Sequence, residues 1–293
     1  MKQLFTTVFL LLFSFFLFAQ DLQFSQLVNA PLSLNPALAG SANSNRLIGN
    51  YKHNKSVFSD LASEFAASFD TPIHLKNGDA IGLGLNARNH RDKAAGISIS
   101  YRKKVSKGGN HIISGAIQPG IAQTNFLFAQ EGISHFDLGA GLVYTGKFET
   151  IKKLELGISG FHLTQPDLTS ESTGTNILYR RITLHSSAAF NFSTRWALEP
   201  VIATHIMGPS KEIYYGSQAH FQHSENLKIS LGLFSSIANY YSREFSIRNL
   251  TGMVGVIYKN FAFYISTDAD LRDLSSAADP NGLIELSTIF KFK

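Results

Sequence analysis

Residues 182–192 read ITLHSSAAFNF, and apolar side chains recur there at every second position. Ile182, Leu184 and Phe190 alternate with Thr183 and His185, so an extended segment has one apolar face and one face of small or polar groups. The segments 97–102 and 138–145 have the same period of two. The pattern predicts β-strands with two different faces, and it extends well upstream of the last third of the chain.

From residue 46 onward the chain divides into about fourteen β-strand candidates separated by polar turns. They are predicted at 46–53, 61–70, 80–89, 94–104, 110–124, 135–145, 152–163, 179–193, 196–206, 212–223, 226–236, 251–258, 260–268 and 283–292. Tight connections such as 259–260 and 224–225 alternate with longer polar ones such as 167–176 and 270–282. Short turns at one rim and long loops at the other are typical of a membrane-spanning antiparallel barrel.

Two all-β architectures fit this alternation, a soluble sandwich and a membrane barrel. Charged residues make up 16% of the chain, which is below the usual quarter of a soluble domain. The polar faces are built from glycine, serine, alanine and asparagine more than from lysine and glutamate. The composition therefore favours an all-β fold, a transmembrane antiparallel β-barrel in residues 46–293. The amphipathic segment 284–292 resembles the last strand of bacterial outer-membrane barrels, although Lys293 follows the final phenylalanine.

The N-terminus has the pattern of an exported protein. Lys2 precedes an apolar run, and Ala19 stands at the expected cleavage position, so residues 1–19 are predicted to be a signal peptide. Residues 20–45 contain Pro31 and Pro36 within an apolar segment without a regular period. We expect this irregular segment to pack in or against the barrel as a plug. The chain has no cysteine, which excludes disulfides, thiolate metal sites and a lipidated cysteine.

No residue pattern indicates an enzyme. His220 and His223 are three positions apart, so on a strand they face opposite sides and cannot converge on one metal ion. His185 and His205 lie near Ser187 on the small-residue face, but no third residue that could orient a catalytic pair is identifiable. We therefore predict no catalytic residue, no cofactor and no metal.

The formal net charge of +5 is spread along the chain, with its densest cluster at 102–107. This cluster is interpreted as a solvated hairpin end, since a nucleic-acid partner does not fit an exported protein. The glycines at 82, 84, 139 and 141 are spaced by two, which places them on the lumen face, where they would let bulky neighbours or a plug approach the wall.

Aromatic residues lie near the ends of several predicted strands. They are Tyr144, Tyr179, Trp196, Tyr214, Tyr215, Tyr240, Tyr241 and Tyr258. They either form the aromatic girdles of a membrane barrel or reflect ordinary β propensity.

Several segments, in the same order along the chain, resemble the PorP/SprF family of type IX secretion system outer-membrane proteins of Bacteroidota. The segments are 21–26, 31–40, 68–72, 82–85, 136–141, 161–166 and 264–285, of which Phe161-His162-Leu163-Thr164-Gln165-Pro166 is the sharpest. The family-motif residues are Phe24, Gln26, Asn35, Pro36, Gly40, Asp70, His162, Leu163, Thr164, Gln165, Pro166 and Asp268. Residues 51–55 and 282–285 depart from the family pattern, which indicates a divergent member.

The resemblance implies a barrel in the outer membrane, in contact with lipid and with proteins of the secretion or gliding machinery. It also implies a role in secretion or in holding the C-terminal domain of a secreted substrate at the cell surface. A transporter or pore for small solutes is the alternative, because the lumen face carries small residues and the N-terminal segment could plug it.

Overall fold

A computed structural model describes residues 24–54, 63–89, 92–106, 108–124, 132–169, 177–239, 245–270 and 283–293. The predicted signal peptide, residues 1–19, lies outside these ranges, as do Tyr240, Tyr241 and residues 271–282. No helix within the described ranges has the length and apolar character needed to cross a bilayer.

The described residues form fourteen antiparallel strands that close into one barrel, as the alternating sequence predicts. The strands are β1 (Asn45–Asn54), β2 (Ser63–His74), β3 (Ala80–Asn89), β4 (Asp92–Lys104), β5 (His111–Thr124), β6 (Ile133–Gly146), β7 (Ile151–Phe161), β8 (Arg181–Asn191), β9 (Trp196–Met207), β10 (Ser210–Gln222), β11 (Leu227–Asn239), β12 (Ser246–Tyr258), β13 (Phe261–Asp270) and β14 (Leu283–Phe292). Each strand pairs with its neighbour in sequence, and β1 pairs with β14 over Asn45↔Phe292 to Asn54↔Leu283. Closure gives hydrogen-bond partners to the backbone N–H and C=O groups of both edge strands. In an open sheet within hydrocarbon these groups would have none.

The two faces of the wall differ as the period of two predicts. Large apolar side chains such as Leu184, Ile202 and Leu231 are exposed on the outer face. Small or polar side chains such as Ser98, Thr183 and Ser230 are fully buried on the lumen face. An apolar exterior is stable only in contact with lipid, so the arrangement is that of a membrane-spanning barrel.

The turns divide between the two rims of the barrel. One rim, which we call the short-turn rim, carries the connections 75–79, 105–110, 147–150, 192–195, 223–226 and 259–260. The opposite rim, the loop rim, carries the longer connections, including the one between Phe161 and Arg181, together with the link from β3 to β4 and a tight hairpin at 208–209. The short-turn rim faces the periplasm in outer-membrane barrels.

Two strands tolerate an internal proline because the ladder is interrupted on one side. β5 pairs with β4 on both sides of Pro119, but residues 97–98 of β4 and 118–119 of β5 do not pair with each other. β9 lacks pairing with β8 at Pro200 in the same way. Proline has no N–H to donate, so each break lies where a donor is missing.

The aromatic residues do not all serve as a girdle. Trp196 and Tyr258 are exposed at the short-turn rim, where interfacial aromatics are expected. Tyr214, in contrast, is 6% exposed and points into the lumen, so of the two interpretations the girdle does not apply to it. Its phenol oxygen donates to the Ser25 carbonyl, which explains its inward orientation.

Candidate functional site

Residues 24–44, which we call the plug, lie inside the barrel and continue directly into β1. The plug contains three single helical turns, Leu27–Asn29, Pro31–Leu34 and Pro36–Leu38. Two of them begin at a proline, whose fixed φ suits the first position of a helical turn and whose missing N–H is not needed there. The segment predicted to be irregular is therefore a series of short turns packed in the lumen.

The plug shares an apolar core with the wall. Leu27, Leu34, Ala37 and Leu38 of the plug are buried against wall residues. The wall side of this cluster is Val143, Ala203, Tyr214, Phe234, Met253, Ala262 and Tyr264. Large apolar side chains on a lumen face that is otherwise small and polar were not predicted from the sequence. They are explained by the plug that covers them.

Glu285 holds the first residues of the plug toward the loop rim. Its carboxylate accepts hydrogen bonds from the backbone N–H groups of Ser25 at 2.7 Å and of Gln26 at 3.0 Å. The Gln26 side-chain amide donates to the Glu285 carbonyl at 3.0 Å and to the Ser266 hydroxyl at 2.9 Å. Gln26 and Glu285 are both 0% exposed. Hydrogen bonds to a buried carboxylate are stronger than neutral ones, so Glu285 is a principal anchor of the plug.

Asp268 supports the same end of the plug. The Ser25 hydroxyl donates to Asp268 Oδ2 at 2.5 Å, and the Asn249 amide donates to the same oxygen at 3.0 Å. Phe24, the residue before Ser25, is 4% exposed and packs with Ala30 and with Ala66 of β2. The motif residues Gln26 and Asp268 therefore both act in holding the beginning of the plug.

Asn35 holds the middle of the plug against β6, β7 and β8. Its amide nitrogen donates to the carbonyls of Leu142 at 3.2 Å and Ile158 at 3.0 Å, and it lies 3.1 Å from Nε2 of His185. Its side-chain oxygen accepts from the Ala37 N–H and so caps the turn that begins at Pro36. A Cβ at position 141 would overlap the Asn35 amide, so Gly141 makes room for this contact.

Asp70 holds the last residues of the plug toward the short-turn rim. Arg46 forms a two-pronged ion pair with Asp70, with Nε to Oδ2 at 2.8 Å and Nη2 to Oδ1 at 3.2 Å. The Gly40 N–H also donates to Asp70 Oδ1 at 2.8 Å. Gly40 has φ +69, and a Cβ there would lie 2.9 Å from the Gly82 Cα atom. Glycine at position 40 is therefore required both by the backbone conformation and by the close approach to β3.

The lumen glycines act as predicted from their spacing. A Cβ on Gly82 would overlap the Ala39 carbonyl, and a Cβ on Gly84 would lie 2.8 Å from the Leu32 side chain. The Ser100 hydroxyl donates to the same Ala39 carbonyl at 2.9 Å. The prediction that these glycines let a plug approach the wall is confirmed for residues 82, 84 and 141.

The remaining motif, 161–166, lies at the loop rim and not at the plug. His162 Nδ1 is 2.9 Å from Asp137 Oδ2, and His162 and Gln165 both have positive φ. The Leu163 N–H and the Thr164 hydroxyl donate to β6 carbonyls at residues 138 and 136, where β7 has already ended. The Pro166 carbonyl accepts from the Leu178 N–H, which closes the turn. The motif thus completes the pairing of β6 beyond the end of β7.

The histidines considered in the sequence have structural partners. His205 Nδ1 lies 2.9 Å from the Thr183 hydroxyl, and His220 Nε2 lies 3.8 Å from Glu199. In the part of the chain that the structure describes, no three His, Asp or Glu side chains are grouped as a metal site. Sequence reasoning missed Glu285 as a site residue, together with Arg46 and Tyr214. The available signal was that Glu285 is the single acidic residue of β14 and lies on the lumen face.

The outer wall carries an apolar groove at the Pro119 break. It has a volume of about 690 Å³ and is lined by β1–β6 side chains that include Leu85, Ile97, Ile121 and Phe136. A second groove of about 450 Å³ lies over Gly157, where the ring of His185 forms part of the lining.

These features together define a plugged outer-membrane β-barrel. The chain belongs to the PorP/SprF family, because the family model described as "Type IX secretion system membrane protein PorP/SprF" matches residues 16–290, nearly the whole chain. It is therefore an outer-membrane protein of the type IX secretion system.

Solved structures with a similar fold are bacterial outer-membrane barrels. A deletion mutant of the monoaromatic hydrocarbon channel TodX superposes with a TM-score of 0.57 at 10% identity, over 90% of this chain and 94% of that one. The toluene transporter TbuX of Ralstonia pickettii gives a TM-score of 0.54 at 11% identity, over 90% and 94% of the two chains. At these identities the likeness concerns the fold alone. No curated protein matches the sequence.

Proposed function

We propose that this chain is a non-enzymatic component of the type IX secretion system that acts through protein contacts, in secretion or in anchoring the C-terminal domain of a substrate at the surface. The division into a signal peptide (1–19), a plug (20–45) and a barrel (46–293) is part of this proposal. Family membership supports the pathway, and the geometry of the lumen supports the mode of action.

The observation that carries the proposal is the fixation of the plug at three places. Glu285 and Asp268 hold its beginning, Asn35 its middle and Asp70 its end, and the side chains at all four positions are buried. Leaving a buried donor or acceptor of this kind unsatisfied costs about 1–3 kcal/mol, so the plug is a stable part of the barrel. A barrel whose lumen is filled in this way can bind partner proteins at its rims, whereas passage of solutes would need an open lumen.

Deletion of the gene tests the proposal. In the deletion strain, a reporter fused to a type IX C-terminal domain should fail to reach the cell surface, and the wild-type gene should restore its display. Restoration by a Gly252→Ala variant, altered on the outer wall away from the plug and both rims, serves as the matched control. Normal display and secretion in the deletion strain would contradict the proposal.

Passage of small apolar solutes through the wall is the second candidate function. The groove at Pro119 favours it, because the ladder between β4 and β5 is interrupted where an apolar groove opens to the lipid. The structural neighbours TodX and TbuX are themselves a hydrocarbon channel and a toluene transporter. Uptake of toluene by liposomes that contain the purified protein, compared with empty liposomes, separates this candidate from the first.

A further inference from the structure

The short-turn rim is strongly basic. Its turns and adjoining strand ends carry the cations Lys76, Lys103, Lys104, Lys147, Lys152, Arg195, Lys259 and Lys293, against the acids Asp79, Glu149 and Glu225. The cations are distributed over turns around most of the circumference. Of the cluster at 102–107, which the sequence alone marks as a solvated hairpin end, Lys103 and Lys104 are part of this larger charged ring, Arg102 is buried at 5% exposure, and Lys107 lies outside the described residues.

The positive charge continues from the rim into the mouth of the lumen. Lys228 and Lys291 point inward near this rim. Arg46 and Lys153 lie close enough to Lys291 to interact with it electrostatically. Lys153 is paired with Glu155 at 2.8 Å and Arg46 with Asp70 at 2.8 Å. Arg102 also faces this space, and a third acid, Glu199, lies close to Lys153. The five cations of the mouth therefore exceed the three acids Asp70, Glu155 and Glu199.

The acid at Asp79 is already engaged within the rim. Its carboxylate accepts hydrogen bonds from the Tyr101 hydroxyl at 2.6 Å and from the Lys104 N–H at 3.0 Å. These hydrogen bonds, with one from Asn77, hold the pKa of Asp79 below its ordinary value. Asp79 therefore stays ionised at neutral pH. Its negative charge offsets only part of the positive charge of this rim.

The loop rim lacks this excess. The cations there whose side chains are described are Lys52, Arg88, Lys93, Arg180, Arg181 and Lys211, and the acids are Glu64, Asp92, Asp137, Asp167, Glu212, Asp268 and Glu285. Among the described residues, the net positive charge is thus concentrated at the end that faces the periplasm in outer-membrane barrels.

We propose that this basic face, the short-turn rim together with the mouth of the lumen, docks an acidic surface of a periplasmic protein. Anionic lipid headgroups could neutralise lysines at the outside of the rim. They cannot reach Lys228 and Lys291, whose side chains point into the lumen. An acidic protein surface that covers the mouth meets both sets of cations, and charge complementarity of this kind speeds association and selects the partner. The inference rests on the proposed role in the secretion machinery and names the chemistry of the partner.

The test uses the full-length barrel in phosphatidylcholine nanodiscs with fluorescent poly-L-glutamate as the acidic probe. The variant Lys228→Gln/Lys291→Gln removes two cations from the mouth, and Lys93→Gln/Lys211→Gln removes two from the loop rim. Both variants have the same net charge. We expect the first to weaken binding of the probe about tenfold and the second to change it less than about twofold, with an affinity that falls as salt rises. Retained heat-modifiable migration on gels shows that each variant is folded.

Equal weakening in the two variants, or no binding of the probe at low salt, would overturn the inference. Loss of the binding when phosphatidylglycerol is added to the discs would also overturn it, because lipid headgroups would then occupy the cations. The measurement is made on purified protein, so its failure differs from failure of the proposed function. Normal secretion in the deletion strain rejects the function, whereas absent probe binding rejects only the basic face.

Discussion

Two buried carboxylates, at Glu285 and Asp70, fix the two ends of the plug. Each accepts backbone N–H groups of the plug, and Asp70 also binds Arg46. A carboxylate removed from water is stable only when such donors replace its hydration. The polar groups that sequence reasoning placed in the lumen are thus specific partners of the plug.

Glu285→Gln should destabilise the plug, because an amide offers one acceptor oxygen where the carboxylate offers two. One of the N–H groups of Ser25 and Gln26 would then face an NH₂ group, at a cost of about 1–3 kcal/mol. The free energy of unfolding, followed by Trp196 fluorescence in urea, should fall by this amount. The exposed Glu149→Gln is the matched control and should leave it unchanged. Equal stability of the two variants would contradict the role of Glu285.

Gly82→Ala should displace the plug, since the new Cβ would overlap the Ala39 backbone carbonyl. Overpacking against backbone costs about 1–3 kcal/mol or more. The chain has no cysteine, so a Ser33→Cys reporter in the plug can be labelled selectively. Maleimide attached to polyethylene glycol should label this cysteine faster in the Gly82→Ala background. Gly252→Ala, where a Cβ meets nothing within 4 Å, is the control and should label at the original rate.

Each strand has an outer face whose side chains contact lipid. The depth of each side chain in the bilayer depends on its position along the strand. Leu231 is 51% exposed within β11, and Tyr258 is 53% exposed at the end of β12. Because the two side chains are equally exposed, a charged substitution would cost the same at both positions in water. In a bilayer the cost would depend on depth.

Leu231→Arg in phospholipid vesicles should lower the free energy of unfolding by about 2–4 kcal/mol, whereas Tyr258→Arg near the interface should cost about 0–1 kcal/mol. Urea unfolding of the refolded protein in vesicles measures both. If the two substitutions had the same small effect, the apolar face would not be in contact with lipid.

The element boundaries were largely predictable from the sequence. The predicted strands at 80–89 and 283–292 coincide with β3 and β14 as found, and the others differ by a few residues at their ends. The break at Pro119 was not predicted, because the period of two continues through it. Whether a proline lies on the donor side of a ladder depends on the neighbouring strand, which the local sequence does not reveal.

At the scale of the whole molecule, closure depends on the pairing of β1 with β14. Asn50 lies directly opposite Ser287, and its amide donates to the Ser287 hydroxyl at 2.7 Å. Contact between residues so far apart in the chain exists only if the barrel is closed.

The pair Asn50→Cys/Ser287→Cys should therefore form a disulfide on oxidation, with faster migration on non-reducing denaturing gels that is reversed by reductant. The pair Asn50→Cys/Thr288→Cys is the control, because neighbouring positions of a strand face opposite sides of the wall. Cross-linking of both pairs alike, or of neither, would contradict the register of the closing strands.

The sequence by itself determined the strands and their two faces, because a period of two is a local property of the chain, and its low content of charged residues favoured the membrane as the surrounding medium. It also marked Asn35, Gly40, Asp70 and Asp268 as family-motif positions, without indicating what they contact. Only the tertiary structure decided that Ser25 meets Glu285, 260 positions away, and that His162 belongs to the loop rim. Contacts across a lumen depend on closure of the whole barrel and on the path of the plug, so no single segment can specify them.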